Sequence, residues 1–301
     1  MPSVIVLAEN LTKVFGTTIA LDCINLKLNR GFHLLLGPNG SGKSTFIKLC
    51  LGLLKPSKGE LHVLGLKPWV NRHLLSGMVS YVIEGFNLPW WLNGREYAYM
   101  FSRLKGIDWS HIRDIAEYLS VTSYWDRYIR VYSSGMKKKL MLALGLVDGY
   151  ELYLLDEPFT LIDEGTRRKV YRLIEKLRKN ATVIIATHVI TEQLTKITST
   201  ISLLVNGKLK LHAKTSRLTE GNIPLKVVVN SSDLENILEI TKELGISRIE
   251  VNTLDRTISF TISSNMLKYL RERLRNTDYH VYLDANTLYS KMFSLTGNGE
   301  P

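Results

Sequence analysis

From Val4 to Leu28 the apolar residues come in short alternating or clustered runs separated by polar turns, which predicts an antiparallel strand region. Phe32 to Leu36 reads as a short apolar strand, followed by glycine-rich residues and a helical pattern from Ser44 to Leu54. Between 92 and 148 the spacing is mostly helical: Tyr97, Met100, Phe101 and Leu104 share one face, as do Ile112, Ile115 and Leu119. Strands return at Leu152–Leu155 and Thr182–Thr187, with a charged helix, Thr166–Lys179, between them. Strand–helix–strand alternation implies a parallel sheet with helices on its faces.

The composition shifts at residues 213–224, AKTSRLTEGNIP, which reads as a linker. Beyond it, Leu225–Val229 reads as a strand, and Asp233–Leu244 as a helix with Leu234, Ile237, Leu238 and Leu244 on one face. Two more strands follow at Arg248–Val251 and Thr257–Ile262, then a helix at Met266–Arg275, a strand at Tyr279–Leu283 and a closing helix at Ala285–Leu295. The order βαββαβ suggests a small ferredoxin-like sandwich. The expected division is therefore a larger domain over 1–218, with a helical subdomain at about 86–148, and a small α+β domain over 219–301.

Composition narrows the class. A 45% hydrophobic fraction with 22% charged residues excludes global disorder. The net charge is +11, and residues 224–301 carry nine basic against ten acidic side chains, so the surplus lies in the first 223. Such a surplus suits an anionic ligand, an anionic membrane surface or nucleic acid without choosing between them. Cys23 and Cys50 lack metal-type partner spacing and read as two reduced core thiols. The N-terminal apolar stretch is too short for a signal segment, and no apolar run reaches the roughly 20 residues of a membrane span. Any membrane role then runs through another chain. No tandem repeat of the motifs below is present.

Gly37-Pro38-Asn39-Gly40-Ser41-Gly42-Lys43-Ser44-Thr45 matches the phosphate-binding P-loop pattern, with the strand before it and the helix after it. Its glycines let successive backbone N–H groups point inward at phosphate oxygens, and the helix N-terminus adds a favourable dipole. Lys43 is placed to reach the β- and γ-phosphates, and the Ser44 hydroxyl to ligate Mg²⁺. Downstream, Leu152-Tyr153-Leu154-Leu155-Asp156-Glu157-Pro158 is an apolar strand ending in two acids. Beside a P-loop, Asp156 can hold Mg²⁺ through its water shell and Glu157 can polarise the attacking water. A solvated pair of loop acids is the plainer alternative. His188 ends the next apolar strand, where parallel sheets place their ligand sites, although a lone histidine there is more often structural or simply exposed.

With these residues in hand, the first 215 or so residues resemble the ATP-binding subunits of ABC transporters. Tyr132-Ser133-Ser134-Gly135-Met136-Lys137-Lys138-Lys139 is similar to that family's LSGGQ signature with its basic residues. The resemblance implies a P-loop NTPase fold of α/β class with antiparallel and helical subdomains. It implies ATP and Mg²⁺ as ligands, with Ser133 and Gly135 acting across a dimer on the γ-phosphate held by the partner. A serine N-cap on a basic surface helix is the plainer alternative for Ser133. By the same match, Phe15 stacks on adenine, Asp163 in Thr160-Leu161-Ile162-Asp163 is the acid of the loop that signals between sites, and His188 contacts the γ-phosphate. Glu84 stands at the Q-loop glutamine position, where a carboxylate can still bind Mg²⁺ or water. Ser134, Tyr132 and Glu84 depart from the family pattern, and Ser134 adds a side chain at an expected crowded turn.

The resemblance further implies a membrane-spanning permease subunit and a second ATP-binding subunit as partners, no nucleic acid, and a place on the cytoplasmic face of the membrane. Thr287–Gly297 resembles the ending of exporter-branch ATPases. The aromatic segment Gly85-Phe86-Asn87-Leu88-Pro89-Trp90-Trp91-Leu92 follows Glu84, where the family receives its permease. Phe86, Leu88, Trp90 and Trp91 are thus expected to line a docking groove, or else both tryptophans are core. Two rival functions stay open: a soluble ABC ATPase acting on ribosomes or nucleic acid, and a non-hydrolysing regulator.

Overall fold

The computed structural model describes residues 3–83, 85, 88–188, 191–215, 224–230, 234–246, 249–252, 257–263 and 278–283. It divides into two compact units, one of residues 1–188 with 199–212, the other of residues 189–198 with 213–301.

The first unit holds two sheets. β1 (Val4–Phe15), β2 (Thr18–Asn29) and β4 (Lys58–Val63) form an antiparallel sheet in the order β2-β1-β4. Leu21, Ile24, Leu26 and Leu28 of β2 face the core, so one side of this sheet is buried and the other wet, as its alternation predicts. A register shift between Ala8 and Leu11 accompanies positive φ at Asn10 and Cys23. That irregularity leaves Cys23 exposed, which corrects the reading of both cysteines as core thiols; Cys50 alone is buried.

The larger sheet runs β5 (Val79–Val82), β6 (Leu152–Asp156), β7 (Thr182–Thr187), β3 (Phe32–Leu36), β8 (Thr200–Val205), β9 (Lys208–Lys214) in that order. β5 through β8 pair in parallel, and every residue of β3, β6 and β7 is buried, as helices on both faces demand. His33 is the one polar residue in β3; its ring nitrogens lie 2.8 Å from Thr200 Oγ1 and 2.8 Å from the Asn29 carbonyl. Burial holds this imidazole below its ordinary pKa, so it sits neutral in the core.

α1 (Lys43–Cys50) follows β3 and is shorter than the Ser44–Leu54 pattern. Gly52 stops it: its φ is +66°, and a Cβ there would lie 2.3 Å from the Pro68 carbonyl. Next come α2 (Arg72–Met78), then the helical layer of α3 (Gly94–Lys105), α4 (Trp109–Tyr118) and α5 (Ser134–Gly145). Asn93 and Glu96 close a capping box on α3, and Trp109 stacks on Trp125 at 5.5 Å in this layer. α6 (Glu164–Leu177) begins two residues before its apolar spacing suggests, because the Asp163 side chain caps it.

In the second unit, α7 (Glu192–Ile197) is grouped with β10 (Pro224–Asn230), α8 (Leu234–Glu243), β11 (Ile249–Asn252), β12 (Thr257–Ser263) and β13 (Asp278–Leu283). The strands pair antiparallel throughout in the order β11-β12-β10-β13, the arrangement a ferredoxin-like βαββαβ requires. Ile237 and Ile240 of α8 are buried, as are Val229, Ile258 and Phe260 in the sheet. The helices expected at Met266–Arg275 and Ala285–Leu295, and the Thr287–Gly297 ending, lie outside the described residues.

Candidate nucleotide site

Three neighbouring strands bring the chemistry together. Leu36 pairs with Thr187, and Asp156 pairs with Ala186, so β3, β6 and β7 end at nearly one level. The residues that leave those ends are the P-loop, the Asp156-Glu157 pair and His188. Parallel sheets concentrate ligand sites at this edge because loops there are free of the helices packed on the faces.

The P-loop backbone is fixed by glycines that no other residue can replace without strain. Gly40 has φ +78° and Gly42 φ +102°. A Cβ on Gly37 would lie 2.2 Å from the Leu204 carbonyl and 2.5 Å from Ser41 Oγ. Gly37→Ala is therefore expected to destabilise the chain by about 2 kcal/mol, or roughly 5 °C in melting temperature for a domain of this size. An unchanged thermal transition would show that the loop accommodates the methyl.

Within the loop, Lys43 is 5% exposed and its Nζ donates to the carbonyls of Gly37 (2.7 Å) and Pro38 (3.0 Å). The Ser41 hydroxyl is buried with no hydrogen-bond partner among the described residues. Ser44 and Thr45, on the first turn of α1, remain partly open. Pro38 and Asn39 are exposed on the rim.

Glu157 is the centre of the constellation. Its φ is +45°, a costly conformation for a side-chain-bearing residue, held by its own N–H donating to the Ala186 carbonyl at 2.8 Å. Glu157 Oε2 accepts from Thr187 Oγ1 at 3.0 Å. Glu157 Oε1 lies 2.8 Å from His188 Nδ1 and 4.0 Å from Lys43 Nζ. Asp156 is 1% exposed. The plain alternative of two solvated loop acids does not fit such burial.

The oxygen donors present suit magnesium. Ser44 and Asp156 offer one hydroxyl and one carboxylate, and the described residues contain no cluster of three or more His, Cys, Asp or Glu side chains. A hard cation bound by one or two protein oxygens, with phosphate and water completing its shell, is how Mg²⁺ is commonly held.

The other expected residues fall into separate places. Phe15 ends β1 at a hairpin tip, 45% exposed. Ser133 caps α5, its Oγ accepting from Met136 N–H at 3.2 Å, so the capping reading holds in the isolated chain. Ser134 is exposed in the single chain, and beside it Gly135 is tight, since a Cβ there would lie 2.8 Å from the Leu161 carbonyl. Tyr132 is buried, its hydroxyl donating to the Tyr124 carbonyl at 3.1 Å, and a Cβ on Gly94 would collide with that hydroxyl. The tyrosine thus fits because Gly94 leaves it room. Asp163 caps α6 through Thr166 N–H at 2.8 Å and pairs with Lys139 at 2.6 Å. Those contacts, the Lys139 ammonium first and the Thr166 amide second, hold its carboxyl well below the usual range. Glu84 and Phe86 lie outside the described residues.

Two participants were missed by sequence reasoning. Thr187 looked like the end of an apolar strand, yet it fixes one oxygen of Glu157. Lys138 looked like one of three exposed lysines, yet it is 5% exposed with its Nζ 3.3 Å from the Asp156 carbonyl. Its helical spacing, two residues before buried Leu140 and four before buried Leu142, carried only a faint signal.

A family model described as ABC transporter matches residues 21–160. Among curated proteins, the daunorubicin/doxorubicin resistance ATP-binding protein DrrA of Streptomyces peucetius is 30% identical over 79% of this chain and 75% of its own length. The bacitracin transport ATP-binding protein BcrA of Bacillus licheniformis is 29% identical over 69% of each chain. Among solved structures, the dimeric bacterial ABC transporter cassette MJ0796 superposes with a TM-score of 0.63 at 23% identity, covering 70% of this chain and 98% of that one. An ATP-binding subunit of another ABC transporter gives 0.63 at 20% identity, over 80% and 93%. These two likenesses establish the fold. The DrrA relative and the family model place the chain in the ABC transporter family, as one of its ATP-binding and ATP-hydrolysing subunits.

Proposed function

We propose that two such subunits sandwich two Mg·ATP head to tail and drive a separate membrane-spanning permease that moves its substrate outward. The observation that carries the reading is the Glu157 carboxylate, buried beside Lys43, Thr187 and His188 at the mouth of a glycine-built phosphate cradle. The P-loop amides and Lys43 bind the triphosphate and hold the γ-phosphoryl group in place. A water held by Glu157 attacks the γ-phosphorus in line, the bond to the β–γ bridging oxygen breaks, and Glu157 takes the water's proton. ADP and inorganic phosphate are the products. Ser44 and Asp156 would hold Mg²⁺, which would supply positive charge to offset that of the phosphate oxygens. Ser133 and Gly135, at the N-terminus of α5, are placed to cover the γ-phosphate bound by the other subunit, by the same dipole and amide physics as the cradle.

The outward direction is supported by the drug-resistance name of DrrA. Among the described residues no helix is long and apolar enough to cross a membrane, and a peripheral place beside a separate permease is the reading this supports. Trp90 and Trp91 are 60% and 61% exposed and meet edge to face at 5.6 Å, which sets aside the reading of both as core. Leu88 is buried and lines a cleft with Tyr97, Phe101, Lys105 and Tyr150. Two exposed tryptophans in a segment whose Leu88 lines an apolar cleft support a permease-docking surface.

The test pairs transport with hydrolysis in reconstituted vesicles. Replacing Trp90 and Trp91 by alanine is expected to weaken permease binding by about 30-fold or more and abolish transport, with the basal ATPase rate of the free subunit unchanged. Full transport by the double variant would place docking elsewhere.

A further inference from the structure

The nucleotide reading gives Phe15 the role of stacking on adenine and assigns nothing to the lysine beside it. Lys13 Nζ sits 4.9 Å from the centroid of the Phe15 ring. The same ammonium donates to the Lys55 carbonyl at 3.0 Å and pairs with no carboxylate among the described residues. Two more bonds tie this stretch of β1 to the segment beyond α1: Val14 N–H donates to Ser57 Oγ at 3.0 Å, and Ser57 N–H to the Thr12 carbonyl at 2.8 Å. Phe15 itself stands at the tip of the β1–β2 hairpin, paired with Thr18 across a turn at Gly16. A ring at such a tip, 45% exposed, has little packing to fix its orientation.

We propose that Lys13 is a positioning residue for nucleotide binding: it covers one face of Phe15, fixes the ring and leaves the opposite face for the purine base. A cation on one face draws electron density through the ring, which makes the other face a better stacking surface for an electron-rich base. The ammonium's hydrogen bond to Lys55 keeps it beneath the ring rather than extended toward a phosphate. The inference rests on the stacking role of Phe15.

Calorimetric titration with Mg·ADP and with magnesium pyrophosphate separates base recognition from phosphate recognition without turnover. Lys13→Met is expected to weaken Mg·ADP about two- to fivefold and to leave pyrophosphate binding unchanged, while Lys13→Arg restores the parent affinity. In a Phe15→Leu background, Lys13→Met is expected to add no further loss. Equal losses for ADP and pyrophosphate would overturn the proposal, because Lys13 would then act as a general cationic charge. A loss that persists without the ring would overturn it too. If Phe15→Leu weakens ADP and Lys13→Met does not, the stacking role stands and the inference alone falls. If Phe15→Leu is itself silent, both fall.

Discussion

Replacing Glu157 by glutamine lowers the turnover of ATP by about 100- to 10,000-fold, the range over which a positioned general base contributes to a rate. The change is nearly isosteric, so the effect isolates charge from shape. A glutamine carbonyl can still accept from Thr187, and the side chain can still reach His188. What it cannot do is take a proton from water, because an amide is a far weaker base than a carboxylate. Binding of Mg·ATP is not weakened: the substitution removes a negative charge lying 4.0 Å from Lys43, close to where the γ-phosphate must sit. The bound dimer should therefore accumulate, and size-exclusion chromatography with Mg·ATP should show it while single-turnover assays show almost no phosphate release. A Glu157→Gln chain that hydrolyses at the parent's rate removes Glu157 from the reaction. Negligible turnover by both the variant and the parent would favour the non-hydrolysing regulator.

The geometry behind that expectation was only half legible in the sequence. The P-loop is a contiguous local pattern, and the wholly buried strands β3 and β6 announce themselves as apolar runs. The pair Asp156-Glu157 stands out because adjacent acids at the end of an apolar run need a reason. What stayed hidden depends on strand register and helix phase, which join residues far apart in the chain. Thr187 reaches Glu157 only because β6 and β7 pair Asp156 with Ala186. Positive φ at Glu157 follows from its N–H bonding to the Ala186 carbonyl, and no residue preference signals it. Lys138 reads as solvated within a run of three lysines, but α5 turns it inward toward the end of β6. Asp163 was found by motif, yet its contacts within the chain, a helix cap and a pair with Lys139, are shared by acids that bind nothing. α2, β5 and the β8–β9 pair were missed because their apolar runs are short or interrupted by polar residues.

Charge balance gives a physical reason for the lysines beside Asp156 and Glu157. Glu157 and Asp156 are both nearly closed to solvent, and leaving such acids ionised without nearby positive charge would be costly. Lys43 approaches from the P-loop side, 4.0 Å from Glu157, while Lys138 approaches from α5 and meets the Asp156 backbone. One cation thus comes from the P-loop strand–loop–helix, the other from α5, whose first turn resembles the family signature. Both elements converge on the same acid-bearing strand end.

Lys43→Ala is the second change with a large expected effect, and it acts on binding before chemistry. The ammonium's hydrogen bonds to Gly37 and Pro38 hold it across the loop opening, where phosphate oxygens can exchange with those carbonyls as acceptors. Charge-assisted hydrogen bonds of this kind contribute about 1.5–3 kcal/mol each, so losing one to a phosphate oxygen weakens Mg·ATP by about 10- to 100-fold. Hydrolysis is expected to fall further still, since on the proposed mechanism the same ammonium would neutralise charge on the γ-phosphoryl group as it transfers. Lys43→Met separates charge from packing: it keeps most of the buried volume and loses the charge. Calorimetry on both variants should show matched losses of affinity, with the alanine chain alone showing an added loss of thermal stability from the space left behind. A Lys43→Ala chain that takes up Mg·ATP as tightly as the parent would mean the triphosphate does not lie in this loop, and the assignments of Asp156, Glu157 and His188 would fall with it.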